Sequence, residues 1–382
     1  MSLPSRDENF NLVILIIDDD INNIRLLRHI LTRAGYTVLS GYNTTEARNI
    51  LNKEQVDILL LDIHMPLETG YSLCQELRGI EKFQLLPIIF ITSIDKETGL
   101  QYAISYGGDD FIHKPIQRQE LLAKVRAFSR IKKLQDALLE QKLNYDRELL
   151  MARKVQEQMI PNKQFIWKEK YQVRTFFHPF IQIGGDYVDA WEINDELHVV
   201  IADCTGHGPA AALLGAMFKM QLYSIPKTGL SLLERVEVLK EKLLLVLPTN
   251  YAITFFYAII HDNNMQYVNG GHPFPFIYND GRVEELKGRS TMILDLDIDF
   301  KTTSEKVDLP KDSIILLFTD GASEAISTDM KILDTEGLKD IYKQSVEKGG
   351  NIIENMLDDL HNFCGGIPPS DDIAFITIQV IS

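Results

Sequence analysis

Along its first third the chain alternates short apolar runs with amphipathic segments. "LVILIID", "YTVLSG", "VDILLLD", "LPIIFITS" and "DDFIHKP" read as strands. Between them, "INNIRLLRHILTRAG", "TTEARNILNKE", "GYSLCQELRGI" and "KETGLQYAISYGG" carry apolar residues at helical spacing. Strands that are apolar throughout and alternate with helices predict a parallel sheet covered on both faces. From Gln117 to Ile160 no strand pattern or breaker occurs, and Pro161 ends the run. Ile131, Leu138, Tyr145, Ala152 and Met159 recur every seven residues. A second seam, Leu134, Gln141, Glu148 and Val155, is only half apolar. The pattern predicts one long helix that pairs with another helix, a coiled-coil-like element in a homodimer; the alternative is a solvated spacer helix packed on its own domain. Beyond Pro161 the period becomes two, in "YQVRTFF", "DYVDAWEI", "ELHVVIAD", "YAITFFYAII", "MQYVNGG", "SIILLFTD" and "DIAFITIQV". Helical stretches are expected near 208–225, 231–246, 336–346 and 351–363. This predicts an α+β domain of two antiparallel sheets flanked by helices.

A chain of 382 residues exceeds what one core usually serves. The expected division is 1–122, a helical linker over 123–160, and 161–382. Three widely spaced cysteines, Cys74, Cys204 and Cys364, form no disulfide framework and fit a reducing cytoplasm. The longest apolar runs are too short to span a bilayer, and the N-terminus has no signal-peptide pattern. The net charge of −15 argues against direct binding to nucleic acid or an anionic membrane. It is unevenly spread: −6 over residues 1–116, +4 over 117–160, and −13 over the remainder.

In the first domain, Asp18, Asp19 and Asp20 follow the first strand, Asp62 ends the third, Thr92 the fourth and Lys114 the fifth. The carboxyl ends of neighbouring parallel strands line one crevice. Carboxylates gathered there repel unless a cation joins them, and all-oxygen donors favour Mg²⁺. Lys114 and Thr92 suit a phosphoryl group attached to Asp62. With "LIIDDD", "LLLDIHMP", "FITS" and "FIHKP" in order over residues 11–125, the segment resembles the receiver domain of two-component response regulators, which has a flavodoxin-like α/β fold. The resemblance implies Asp62 as phosphoacceptor, phosphorylated by a sensor histidine kinase. It implies Mg²⁺ held by Asp18, Asp19, Asp62 and the His64 carbonyl, and Thr92, Phe111 and Lys114 as switch and phosphoryl-binding residues.

In the last domain, "VIADCTGHG" packs Asp203, Cys204 and His207 together. A thiolate phosphatase needs an Arg six residues after its Cys, where Ala210 stands. Zinc would need a second ligand pair, which is missing. Carboxylate partners are present: Asp186 in "GGDYVDAW", along with Asp189, Asp320 in "FTDGASEA", and Asp371 and Asp372 in "PPSDDIAFI". Neighbouring glycines, among them Gly185, Gly206 and Gly208, let backbone approach an ion or phosphate. Several carboxylates without a side-chain nucleophile point to two Mn²⁺ or Mg²⁺ ions that activate water for attack on a phosphate.

From "ARKVQEQMIP" through "GGDYVD", "ADCTGHG", "NGGHPFPF", "FTDGASEA" and "DDIAFI", residues 150–382 resemble the metal-dependent protein phosphatase (PPM) family, in its bacterial sporulation-phosphatase and stress-regulator branch. The resemblance implies a protein serine/threonine phosphatase whose substrate is a phosphorylated anti-sigma-factor antagonist or similar regulator. It implies metal binding by Asp186, Asp203, the Cys204 carbonyl, Asp320 and Asp371. Gly185, Gly206, His207, Gly208 and Asp372 are supporting residues. Ala374 stands where the family usually has Thr, and "ILDLD" where a Leu-Gly turn is common. Two other functions compete. One is an adaptor whose inactive phosphatase-like domain binds a partner according to receiver state, which intact Asp203, Asp320 and Asp371 disfavour. The other is a cyclic-dinucleotide synthase, which needs Glu-Phe after "GGD" where Tyr187-Val188 stand.

Overall fold

The computed structural model describes residues 12–93, 105–288, 293–294 and 302–381. Most of the helix expected in "KETGLQYAISYGG", and "ILDLD" beyond Leu294, lie outside them. The chain divides into two compact units, Met1–Asn144 and Tyr145–Ser382.

The first unit is built on β1 (Val13–Ile17), β2 (Thr37–Gly41), β3 (Ile58–Asp62), β4 (Ile88–Thr92) and β5 (Asp110–His113). They pair in parallel in the order β2-β1-β3-β4-β5, the doubly wound flavodoxin-like arrangement. Helices α1 (Ile21–Arg33), α2 (Thr44–Lys53) and α3 (Gly70–Arg78) begin where the sequence supplies caps. Asp20, Asn43 and Thr69 accept the N–H groups of Asn22, Glu46 and Ser72. Alternate strand residues feed two cores. Leu15, Ile17, Leu59, Leu61 and Phe90 pack on the α2/α3 side, and Ile14, Ile16, Leu60, Ile89 and Ile112 on the α1 side.

Helix α4 (Arg118–Met159) is 42 residues long, ~63 Å at 1.5 Å per residue. Its first turns belong to the receiver-side core through Leu121 and Val125, and the Ser129 hydroxyl reaches Tyr36 Oη at 3.3 Å. In the second unit Leu149 and Gln156 are buried, and Met159 packs against the core. Met159 is therefore not part of a free seam, whereas Ile131, Leu134, Leu138, Tyr145 and Val155 are exposed.

The second unit is a four-layer sandwich. Strands β6 (Gln164–Trp167), β7 (Tyr171–His178), β12 (Phe276–Asn279), β13 (Arg282–Glu285), β16 (Ile314–Phe318) and β17 (Ile373–Val380) form one antiparallel sheet, ordered β13-β12-β16-β17-β7-β6. Strands β8 (Tyr187–Ile193), β9 (Glu196–Cys204), β10 (Ala252–His261), β11 (Asn264–Gly270) and β15 (Glu305–Asp308) form the other, with the short β14 (Ile293–Leu294) beside β10. Between the sheets, Val199, Ile201, Phe256 and Ala258 share one core with Ile315, Leu317, Ile376 and Ile378. Helices α5 (Pro209–Tyr223) and α6 (Leu232–Leu244) cover the outer face of the second sheet through Phe218, Val236 and Leu239. The short α7 (Asp320–Ser323), α8 (Asp334–Lys348) and α9 (Ile352–Cys364) lie against the first, where Leu316, Phe318 and Phe375 meet Leu338, Tyr342 and Met356. No helix among the described residues is long and apolar enough to cross a membrane.

Candidate active sites

Strand register assembles the first site. Asp62 pairs with Ile91 and Thr92 with His113, so the carboxyl ends of β1, β3, β4 and β5 share one edge. Asp18, Asp19 and Asp62 each bring a carboxylate oxygen within 4.8 Å of the others. Asp18 is held by its Oδ1, which accepts Asp20 N–H at 2.8 Å and Asn23 Nδ2–H at 3.1 Å. Its buried Oδ2 forms an ion pair with Lys114 Nζ at 3.2 Å. Lys114 donates to Asp62 Oδ2 at 2.8 Å. Burial raises the Asp62 pKa, Lys114 opposes that shift, and the Asp18 charge adds to it. Burial also works against the charge of Lys114, but the two carboxylates outweigh it and raise its pKa. Three carboxylates this close, with one lysine among them, fit a hard divalent cation.

The His64 N–H donates to the Asp62 carboxylate, so the His64 backbone borders the cluster. Thr92 is buried at the same edge. Phe111, nearly buried, has Lys124 Nζ of α4 5.4 Å from its ring centroid, and Lys124 also donates to Asp110 at 2.6 Å.

Both sheets build the second site. Asp186 immediately precedes β8, and Asp203 lies near the end of β9. These strands pair antiparallel, with Tyr187 opposite Ala202. Asp320 opens α7 just past β16, and Asp371 and Asp372 immediately precede β17; Phe318 pairs with Phe375 there. The second set is looser than the receiver set, since no three of its carboxylates come within 4.8 Å of one another. They nonetheless share a desolvated space. Burial, followed by the charges of Asp320 and Asp371, pushes the Asp203 carboxyl up to about 7. Asp320 is pushed up to about 6 by burial, then by Glu324 and Asp371. Asp186 is raised well above the carboxylate range by burial and then by Asp203, and its Oδ2 has no hydrogen-bond partner. Such a set repels itself without cations and fits them with oxygen donors. Burial pushes the Cys204 thiol well up, and the neighbouring carboxylates add to it, so the sulfur is no thiolate.

Asp189 does not join the cluster. Its side chain is taken up by Lys163, Tyr187 and Tyr223, and Lys163 bonds it at 2.5 Å. Asp372 does more than its sequence position suggests. Its Oδ1 accepts Phe180 N–H at 2.8 Å and its Oδ2 accepts Gly185 N–H at 2.6 Å, tying the Asp186 loop to β17. At Gly321, a Cβ would stand 2.1 Å from the Asp372 carbonyl oxygen, a close approach that only glycine permits. Gly206 and Gly208 have φ of +93° and +77° in the turn between Asp203 and α5. His207 in that turn is exposed and meets the Phe180 ring edge-on, with centroids 6.0 Å apart.

Residues 14–126 match the response regulator receiver domain family. Residues 194–381 match the stage II sporulation protein E (SpoIIE) family, a span that includes Asp203, Asp320 and Asp371 but not Asp186. The transcriptional regulatory protein GltR of Pseudomonas aeruginosa is 35% identical over 117 residues, 31% of this chain and 48% of its own. A probable transcriptional regulator, ycf27 of Cyanidium caldarium, is 40% identical over 121 residues, 30% of this chain and 46% of its own. The chain thus spans about half the length of the curated relatives it matches. The SiaA-PP2C domain of Pseudomonas aeruginosa superposes with a TM-score of 0.52 at 17% identity, covering 63% of this chain and 98% of that one, a likeness of fold. The chain therefore joins a response regulator receiver domain to a domain of the stage II sporulation protein E family.

Proposed function

We propose that the protein is a response regulator whose output is a metal-dependent protein serine/threonine phosphatase controlled by phosphorylation of Asp62. The observation that carries this reading is the convergence of Asp186, Asp203, Asp320 and Asp371 in a desolvated site at the ends of two sheets. In this reading Asp203, the Cys204 carbonyl, Asp320 and Asp371 would hold the ions, and Asp186 would act mainly through ordered water. Bound Mn²⁺ or Mg²⁺ supplies Lewis acidity and an activated water for in-line attack at phosphorus. The chain's own contribution is placement. Asp372 fixes the Asp186 loop through two backbone N–H groups. His207, exposed beside Phe180, stands where an incoming phosphorylated segment can be oriented. The substrate is a phosphoprotein of the anti-sigma-factor antagonist type.

At the receiver, a sensor histidine kinase supplies the phosphoryl group. Asp62 accepts it, Asp18 and Asp19 would hold Mg²⁺, Lys114 offsets the charge of the new oxygens and the Thr92 hydroxyl donates to one of them. Residues 1–122, 123–160 and 161–382 serve as receiver, helical linker and phosphatase. The exposed stripe Ile131, Leu134, Leu138 and Tyr145 supports pairing of α4 with a second copy. Gln141 and Glu148 keep that pairing marginal.

The test is phosphate release from a phosphoserine or phosphothreonine peptide with Mn²⁺. Asp203→Asn abolishes release and Cys204→Ala, which keeps its carbonyl, has a mild effect. Equal loss in both would return the chemistry to the sulfur.

A further inference from the structure

The run "NGGHPFPF" supplies none of the carboxylates of the second site, yet its histidine meets both sheets that carry them. Asp203 on β9 pairs with Thr254 on β10, so the two side chains share one face of their sheet. His272, just beyond β11, is buried, and its Nδ1 lies 3.0 Å from the Thr254 hydroxyl. Its Nε2 is buried too and meets no acceptor at full hydrogen-bonding geometry. The Phe318 backbone, on β16 and two positions before Asp320, lies beside the ring and favours a proton on it. With Nδ1 at Thr254, that proton belongs on Nε2, and Nδ1 accepts the Thr254 hydroxyl. Asn269 fixes the backbone from which the ring projects. Its Oδ1 accepts the His272 N–H at 2.8 Å and its Nδ2 donates to the His272 carbonyl at 3.0 Å, closing a turn in which Gly271 has φ of +79°.

We propose that His272 and Thr254 are a positioning pair that fixes Asp203 on one sheet against Asp320 on the other. The inference rests on the metal-dependent phosphatase reading. Ligand oxygens for a small divalent cation must be placed to about 0.2 Å. The apolar core between the sheets is non-directional and does not specify the separation of particular oxygen atoms. Directional ties can. Asp372 supplies one, from the start of β17 to the loop of Asp186. Thr319 supplies another: its Oγ1 accepts the Ala374 N–H at 2.9 Å, and its hydroxyl bonds Asp186. Neither engages β9 or β10, where Asp203 and its neighbour Thr254 stand. The His272 ring does. One face-to-face neighbour of Asp203 is thereby held to the strand that leads into Asp320, by a neutral group that adds no charge to the cluster.

The experiment uses the full chain carrying Asp19→Asn, so that the receiver cluster contributes little metal binding. Mn²⁺ affinity is measured by isothermal titration calorimetry, and the unfolding midpoint by heat in EDTA. Thr254→Val keeps the branched shape and loses the hydroxyl. Thr254→Ser keeps the hydroxyl and loses a methyl. A role in positioning and a role in stability therefore rank the two variants in opposite order. Thr254→Val is expected to weaken Mn²⁺ binding about tenfold or more, and Thr254→Ser to stay within about twofold of the parent even where its EDTA midpoint is the lower of the two. His272→Phe, which keeps an aromatic ring and loses both nitrogens, should weaken Mn²⁺ binding as Thr254→Val does. Mn²⁺ affinity that follows the EDTA midpoint across the three variants, or an unchanged affinity in Thr254→Val, would confine the pair to fold stability and overturn the proposal. Asp203→Asn separates the two levels. If it loses Mn²⁺ binding while Thr254→Val and His272→Phe keep it, the phosphatase reading stands and the inference falls. If the parent chain binds no Mn²⁺, both fall.

Discussion

Asp203→Asn, expected to abolish catalysis, should make the metal-free protein more stable. The Asp203 carboxyl is pushed up to about 7 from an ordinary 3.8, first by burial and then by Asp320 and Asp371. Keeping it ionised at pH 8 without a cation costs on the order of 4 kcal/mol, at roughly 1.36 kcal/mol for each pH unit of displacement. The repulsion is shared with coupled neighbours, so relieving one charge recovers about half of this, ~2 kcal/mol. For a domain of this size that raises the unfolding midpoint by about 4–8 °C in EDTA at pH 8. The pH dependence carries the opposite sign to that of a salt-bridged carboxylate. Because the folded value lies above the unfolded one, the folded state binds more protons, and metal-free stability rises as pH falls through about 7. Asp320, pushed up to about 6, adds to the rise at lower pH. The informative window is pH 8 to 6.5. The buried His198 and His272, held down to about 4 and about 3 from an ordinary 6.5, begin to oppose folding toward the lower end of that window, but they do so equally in parent and variant, so the gap between the two does not depend on them. The advantage of the variant should therefore narrow across that window. In saturating Mn²⁺ the order should reverse, because only the parent gains the full binding energy. The assay is calorimetric or fluorescence-monitored unfolding in EDTA and in Mn²⁺. A variant no more stable than the parent in EDTA at pH 8, or a gap that does not narrow by pH 6.5, refutes the reasoning.

Asp62→Asn should abolish labelling by a small phosphodonor such as acetyl phosphate, read by phosphate-affinity electrophoresis; persistent labelling would move the phosphoacceptor elsewhere. Gly321→Ala drives a Cβ to 2.1 Å from the Asp372 carbonyl oxygen, a backbone atom with little freedom to retreat. It should lower stability by about 1–3 kcal/mol and reduce phosphate release, and unchanged denaturant midpoint and turnover would show that the two backbones separate easily. The doubly charged variant Leu134→Glu with Leu138→Glu, at residues 72% and 68% exposed, should leave the fold intact. If α4 pairs with a second copy, it should shift the mass found by light scattering toward the monomer; an unchanged mass would assign that stripe no role in assembly.

Sequence pattern reached most of this architecture because its signals are local. Continuous apolar strands between capped helices announce the parallel sheet, and period-two runs announce the long strands of the sandwich. Small edge elements escaped. β12 and β13 are four residues each, and their signal was the turn "NDGR", where Asp280 and Gly281 have φ of 47° and 78°. β6 and β15 carry mixed or charged residues, as edge strands do. The carboxylates were legible for a similar reason, since an acidic residue at the end of an apolar strand stands out whatever its partners are. Yet that pattern did not separate Asp189, absorbed by Lys163, Tyr187 and Tyr223, from Asp186 three positions earlier.

The contacts that position the second site lay out of reach of pattern. Gln156 bonds a glycine 28 residues away, and Asp372 bonds one 187 residues away. Both act on backbone groups, so the partner position carries no side chain that could announce the pairing. Gly184 and Gly185 show only that something approaches closely, not what. The same reason makes the arrangement sensitive to small displacements. A loop held by packing tolerates small displacements, because many weak contacts redistribute. A loop held by two directional groups, an amide and a carboxylate, loses a whole hydrogen bond when either moves by an ångström or so. Burial ensures that water does not readily replace it. A cluster of carboxylates that already repel one another is then left without its fixed geometry, and the free energy of cation binding must supply the order that the loop no longer has.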